Sequence, residues 1–114
     1  AVYNLPHGLC NAILLPHVME YNNRVCELEY AYLAKKLFPH KCSGKSNKIC
    51  VSVLIEEVIG LSESIGTLQK LRDLGVREKD FELLAEKSLS DGNIYKNPIM
   101  PSLEDIIDIF RNAY

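Results

Sequence analysis

The chain has 114 residues, 47% of them hydrophobic, which is enough for one domain with a modest core and excludes a disordered chain. Its 13 basic and 15 acidic residues leave a net charge of -2, which argues against nucleic acid or an anionic membrane as a partner. No apolar run approaches the roughly 20 residues that would cross a bilayer.

The four cysteines match neither a paired-cysteine metal motif nor a disulfide framework. We interpret them as free thiols of a cytoplasmic protein, with Cys10, Cys26 and Cys50 lining the core. The N-terminus has no charged signal region and no initiator methionine, so we expect a processed chain or a fragment of a longer one.

The first third of the chain predicts a series of helices. Helical spacing runs through residues 9–22, and we expect a kink or a break at Pro16, with Pro16 opening a second short helix, because proline removes a backbone donor and clashes one turn back. The pair Asn22–Asn23 is predicted to end this stretch, and residues 24–37 to form the next helix, which Pro39 ends. Its predicted apolar face consists of Val25, Leu28, Tyr32 and Leu33.

The middle of the chain predicts a polar loop at residues 40–47 and then the longest helix. Ser46 or Asn47 can cap it. The apolar residues from Ile49 to Ile65 follow the three-four spacing of one buried face, so we expect this helix of about 20 residues to be the central one, ended by Gly66.

The last third predicts shorter elements. Residues 67–74 form one or two turns ended by Gly75, and residues 77–90 form a helix. After an irregular stretch, Ser102 caps the last helix, with Asp105 placed for a capping box. No strand pattern survives beside these helical periods, and the predicted fold class is all-α.

Histidines are the main candidates for chemistry. His7 lies in a Pro-His-Gly turn before a helix, although a single histidine in a turn is more often structural than a ligand. His17 is a weaker candidate. A zinc site at His40, Cys42 and Cys50 lacks a fourth ligand, and a polar loop beside a buried Cys50 is the better interpretation. Neither a glycine-rich phosphate loop nor a Ser-His-Asp arrangement stands out.

Several stretches, in order along nearly the whole chain, resemble the iron-dependent (group III) alcohol dehydrogenases. They are YNLPHGLCNAILLPHVMEYN at 3–22, LRDLGV at 71–76, LAEKSLSD at 84–91, Asn97-Pro98, and LEDIIDIFRNAY at 103–114. Members of this family are much longer, with a nucleotide-binding α/β domain followed by a helical domain that holds the metal.

The resemblance implies a place for this chain in such an enzyme. Residues 1–114 would be a single helical domain, the C-terminal part of the dehydroquinate synthase-like helical domain, with about five to seven helices. The family's metal is held by one Asp and three His, and the third His matches His7. The metal is Fe2+, or Zn2+ in some relatives, and it acts as a Lewis acid on a small alcohol or aldehyde.

The same resemblance implies which functions lie outside the chain. Hydride passes to or from NAD or NADP, held mostly by the preceding domain, so no catalytic side chain and no cofactor-binding residue is expected among residues 1–114. The chain departs from the family where a Cys is common near Asn93 and where Asn-Pro-Arg is common at residues 97–99. This region borders the family's substrate pocket, so Asn93 is a predicted border residue and the substrate preference stays open.

Two other hypotheses remain beside the dehydrogenase. One is a non-catalytic helical interaction module with exposed apolar patches that self-associate into a homo-oligomer. The other is part of a zinc-dependent glycerol dehydrogenase relative, although the run from Asn11 to His17 favours the alcohol dehydrogenase branch. Under the main hypothesis, the purified chain has no dehydrogenase activity by itself, because a metal site needs several ligands.

Overall fold

The computed structural model describes residues 7–66, 69–90 and 96–114, apart from the side chain of His7. Five α-helices follow one another: α1 (His7–Leu37), α2 (Pro39–Cys42), α3 (Asn47–Ser64), α4 (Phe81–Ser90) and α5 (Leu103–Asn112). Two 3-10 turns, Leu71–Leu74 and Glu78–Asp80, precede α4. No strand forms in these ranges, so the predicted all-α class and helix number are confirmed.

Helix α1 is continuous over 31 residues, so a break with a second short helix opening at Pro16, and the stop predicted at Asn22–Asn23, are wrong. Pro16 deprives one carbonyl of its helical partner, but Ile13 and Met19 on either side are buried and hold both stretches in place. Asn22 is also buried, and its side chain bonds to a distant loop instead of capping the helix. Tertiary contacts therefore override both local stop signals.

The first cluster of buried residues joins the N-terminal half of α1 to α4 and α5. Phe81 lies at its centre, with its ring centroid 6.0 Å from that of Phe110 and 5.5 Å from that of Tyr114. The Leu71 amide donates to the Ala113 carbonyl at 2.8 Å, which ties the turn after α3 to the end of α5. The buried members are Ile13, Leu71, Val76, Phe81, Ala85, Ile106, Phe110 and Ala113.

The second cluster joins the middle and the C-terminal half of α1 to α2 and α3, and four of its eight buried members are alanine or cysteine. Its buried members are Met19, Ala31, Ala34, Cys42, Cys50, Val51, Leu54 and Ile55. The predicted apolar face of the α1 C-terminal half is therefore wrong. Its members Val25, Leu28, Tyr32 and Leu33 are all exposed.

Helix α3 confirms part of its prediction. Cys50 and Leu54 are buried, but Ile49, Leu61 and Ile65 are exposed, so the predicted single face is only partly buried. With 18 residues α3 is also shorter than α1, so α3 is not the longest helix.

Helix ends follow the sequence signals more closely. Ser46 Oγ accepts from the Ile49 amide and Ser102 Oγ from the Asp105 amide, so both predicted caps are confirmed. Gly66 and Gly75 end the turns they follow at φ of 78° and 85°, which glycine adopts without strain.

Two predicted boundaries move. The predicted loop at residues 40–47 begins inside α2, which buries Cys42, and α4 begins at Phe81 rather than at residue 77. Residues 67–68 of the predicted turn lie outside the described ranges. None of the helices in those ranges is long and apolar enough to cross a membrane.

Candidate functional site

The candidate ligand His7 is the first residue of α1. The imidazole lies outside the described side chains, but the helix that carries it is firmly placed. Ile13 is 4% exposed within the first cluster, and Leu9 packs against that cluster. The position of the His7 backbone is therefore fixed by contacts in the two helical turns that follow it.

His17 lies farther along α1, next to a pocket of about 380 Å³ between α1 and α5. Burial lowers the pKa of His17, and the nearby Glu20 carboxylate partly opposes that shift. The neutral imidazole is thus favoured at neutral pH. The pocket is lined mainly by polar side chains: His17, Glu20, Tyr21, Arg24, Asp105 and Asp108.

In this pocket Tyr21 and Asp105 form a hydrogen bond that joins α1 to α5. Tyr21 Oη donates to Asp105 Oδ2 at 2.9 Å, and the Ser102 amide donates to the same oxygen at 3.1 Å. These bonds, the Ser102 amide first, lower the pKa of Asp105, while burial and the bond to Asp105 raise the pKa of Tyr21. The carboxylate is already occupied as an acceptor, so its evident role is to hold the two helices together.

A second polar link was not predicted from the sequence. Asn22 Nδ2 donates to Asn97 Oδ1 at 2.9 Å, and Asn97 Nδ2 donates back to Asn22 Oδ1 at 2.8 Å and to the Ile99 carbonyl at 2.6 Å. This pairing ties the segment before α5 to the middle of α1. Its only sequence signal was an asparagine within an apolar helical pattern, which we interpreted as a helix end.

The three residues of the zinc alternative are not brought together as ligands. Cys42 and Cys50 are both buried, and Cys50 Sγ donates to the Cys42 carbonyl at 3.6 Å, whereas His40 is exposed on α2. Burial raises the pKa of the Cys42 thiol, which disfavours the thiolate that a metal needs. Both cysteines are core residues here, and all four cysteines are free.

A metal site needs several donor side chains that converge on one point. Among their side chains no group of three His, Cys, Asp or Glu converges on one point. An imidazole at position 7 is a suitable ligand for iron or zinc, and it would need partners from another part of an enzyme. Asn93, the predicted pocket-border residue, lies outside the described ranges.

Comparison with known proteins identifies relatives over the full chain. The profile of the Fe-containing alcohol dehydrogenase family, C-terminal part, matches residues 1–114. The 1,3-propanediol dehydrogenase of Citrobacter freundii is 40% identical over 113 residues, which are 99% of this chain and 29% of that protein. The lactaldehyde reductase of Escherichia coli K12 is 39% identical over 114 residues, 100% of this chain and 30% of that protein.

Solved structures agree with these matches. A crystal structure of 1,3-propanediol oxidoreductase has a TM-score of 0.92 and 41% identity, covering 98% of this chain and 29% of that one. The alcohol dehydrogenase of Oenococcus oeni also has a TM-score of 0.92, at 37% identity, covering 100% of this chain and 30% of its own. The chain thus spans about 30% of the length of the relatives it matches.

Proposed function

Because this chain belongs to the Fe-containing alcohol dehydrogenase family, we propose that it is the C-terminal part of the helical domain of such an enzyme and supplies His7 as one metal ligand. The family resemblance inferred from the sequence is confirmed by the match over residues 1–114. The observation that carries the ligand proposal is the position of His7 at the first residue of a helix anchored in the first cluster.

The chain's own contribution is placement. Leu9 and Ile13 hold the start of α1 against the first cluster, so His7 enters a metal site from a fixed backbone. Pre-positioning a ligand in this way reduces the ordering that metal binding must impose. When bound, the iron, or zinc in its place, would polarise the oxygen of an alcohol or aldehyde as a Lewis acid.

The remaining parts of the function lie outside the chain under this proposal. The other ligands and most contacts to NAD or NADP come from the part that precedes residue 1, and the substrate is a small alcohol or aldehyde handled in the cytoplasm. Asn93 borders its pocket. The relatives named above act on 1,3-propanediol and lactaldehyde according to their names, which supports a small polar alcohol as the substrate class.

A chimera tests the ligand role of His7. The matched C-terminal part of the Citrobacter freundii enzyme is replaced by this chain, and iron content and NADH-dependent aldehyde reduction are measured. His7→Ala is expected to lower bound iron and the rate by at least roughly tenfold, because each ligand of a specific site is needed for affinity. His40→Ala is the matched control, since His40 is exposed and far along the chain from His7.

Two outcomes would contradict the proposal. One is a His7→Ala chimera that keeps its iron, and the other is turnover by the purified 114-residue chain with added iron, NADH and aldehyde. An immunoblot of the source cells separates the rival: a band much larger than this chain supports the enzyme, whereas a band at the size of the 114-residue chain supports the interaction module.

A further inference from the structure

A stripe of apolar side chains runs along nearly all of α1 with alternating spacings of four and three residues. We call it the α1 stripe, and its members are Leu14, Val18, Tyr21, Val25, Leu28 and Tyr32. Alternating four-three spacing keeps side chains on one face of a helix and suits packing against a second helix along its length.

The N-terminal half of the α1 stripe already has such a partner. Leu14, Val18 and Tyr21 line a small cavity together with Ile106, Ile109 and Phe110 of α5. Tyr21 is 9% exposed and bonds to Asp105 at the start of α5. Helix α5 therefore covers the α1 stripe as far as Tyr21, which lies beside the first turn of α5.

The C-terminal half of the same stripe is bare. Val25 is 56% exposed, Leu28 71% and Tyr32 65%. The second cluster buries Ala31 and Ala34 of α1, so α3 packs on a different face of this half. These three large apolar side chains continue the face that packs on α5. An apolar surface of this kind is unusual in contact with water.

We propose that the bare half, Val25, Leu28 and Tyr32, is the docking surface for a helix from the part of the enzyme that precedes this chain in its family. The proposal rests on the proposed function. Two observations select this occupant. The face continues the interface with α5, and about 70% of each relative lies outside the matched part while the matched part keeps its fold at a TM-score of 0.92.

A second copy of this chain is the other candidate for the bare half, and the experiment below distinguishes it from a helix of the preceding part.

Hydroxyl-radical footprinting by mass spectrometry tests the proposal without mutating the surface. The purified chain and the chimera described above are exposed to radicals generated by photolysis, and the oxidation rates of Leu28 and Tyr32 are compared. Both are expected to be oxidised readily in the chain alone and several-fold more slowly in the chimera, because contact with a helix excludes solvent. Leu83 is the matched control, since it is 44% exposed on α4 and its rate should not change.

Three outcomes overturn the proposal. They are unchanged oxidation of Leu28 and Tyr32 in the chimera, protection of both in the chain alone together with a doubled mass by light scattering, and a chimera that aggregates through an uncovered stripe. The second outcome would assign the surface to another copy of this chain.

The footprint is also recorded for the His7→Ala chimera. Protection of Leu28 and Tyr32 that persists without iron supports the docking surface even where the ligand proposal fails. A chimera that binds iron through His7 and leaves the stripe reactive fails the docking proposal alone.

Discussion

The two halves of α1 bury their apolar surface in different ways. The N-terminal half packs against large side chains, including Phe81 and Phe110, and α5 covers its part of the α1 stripe. The C-terminal half is buried through Ala31 and Ala34, while larger residues of the same half face solvent. Small residues suit close packing between helices, so in this half we relate the buried face to the size of the side chains at the seam, with the larger Tyr30 packed beside it and only partly buried.

The largest expected effect comes from emptying the centre of the first cluster. Phe81→Ala removes a ring that is 2% exposed and contacts both Phe110 and Tyr114. We expect a loss of about 3–5 kcal/mol in the free energy of unfolding, measured by urea denaturation with circular dichroism. Hydrogen exchange should show that amides of α4 and α5 lose protection before those of α3.

A uniform loss of protection across both clusters would contradict this division of the molecule. Leu83→Ala serves as the control, because Leu83 lies on the same short helix α4 but is 44% exposed. It is expected to change the free energy of unfolding by less than about 0.5 kcal/mol.

The second expected effect comes from overfilling the close seam of the second cluster. Ala34 is 0% exposed, and Ala34→Leu adds three carbons where α1 meets α3. We expect a loss of about 1–3 kcal/mol, because a tight interior cannot take a larger side chain without moving the helices apart. Thermal unfolding by circular dichroism measures it.

Glu27→Leu places the same side chain on the exposed side of α1 and is expected to leave the melting temperature nearly unchanged. If Ala34→Leu were equally silent, the seam would have spare volume and the argument from side-chain size would fail.

The smallest expected effects come from removing the N-terminal caps of α3 and α5. Ser102→Ala removes the hydroxyl that accepts from the Asp105 amide at 3.1 Å and keeps the Ser102 amide's own bond to Asp105, while Ser46→Ala removes the hydroxyl that accepts from the Ile49 amide at 3.3 Å. We expect about 1 kcal/mol for Ser102→Ala and clearly less for Ser46→Ala in chemical denaturation. An equal loss from both would mean that the shorter bond to the Ser102 hydroxyl contributes no more than the longer bond to the Ser46 hydroxyl.

Local signals in the sequence predicted the helix ends better than the buried faces. Ser46, Ser102, Gly66 and Gly75 act through neighbouring residues alone, so their patterns transfer directly to the structure. The fate of Pro16 depends on distant contacts, since only packing on both sides lets the helix continue through it. Period alone also could not tell which face of the α1 C-terminal half meets α3, because alanine gives a weak hydrophobic signal.

The sequence likewise predicted only part of the candidate site. His7 drew attention as a histidine before a helix, but its assignment to a metal came from the resemblance, because one residue type in a turn does not specify a ligand set. The pairing of Asn22 with Asn97 spans 75 positions in the sequence and was beyond any local pattern. Asn93 stays a prediction.

Helix α1 serves both clusters, and this has a consequence for the order of events during synthesis on a ribosome. Helices α1, α2 and α3 are complete once residue 64 has left the exit tunnel. The second cluster can therefore form early, because its members are near neighbours in the sequence. The first cluster must wait for Phe110 and Ala113. In that interval Leu14 and Val18 stay uncovered, and a nascent chain stalled before α5 offers a chaperone a longer apolar face than the finished protein does.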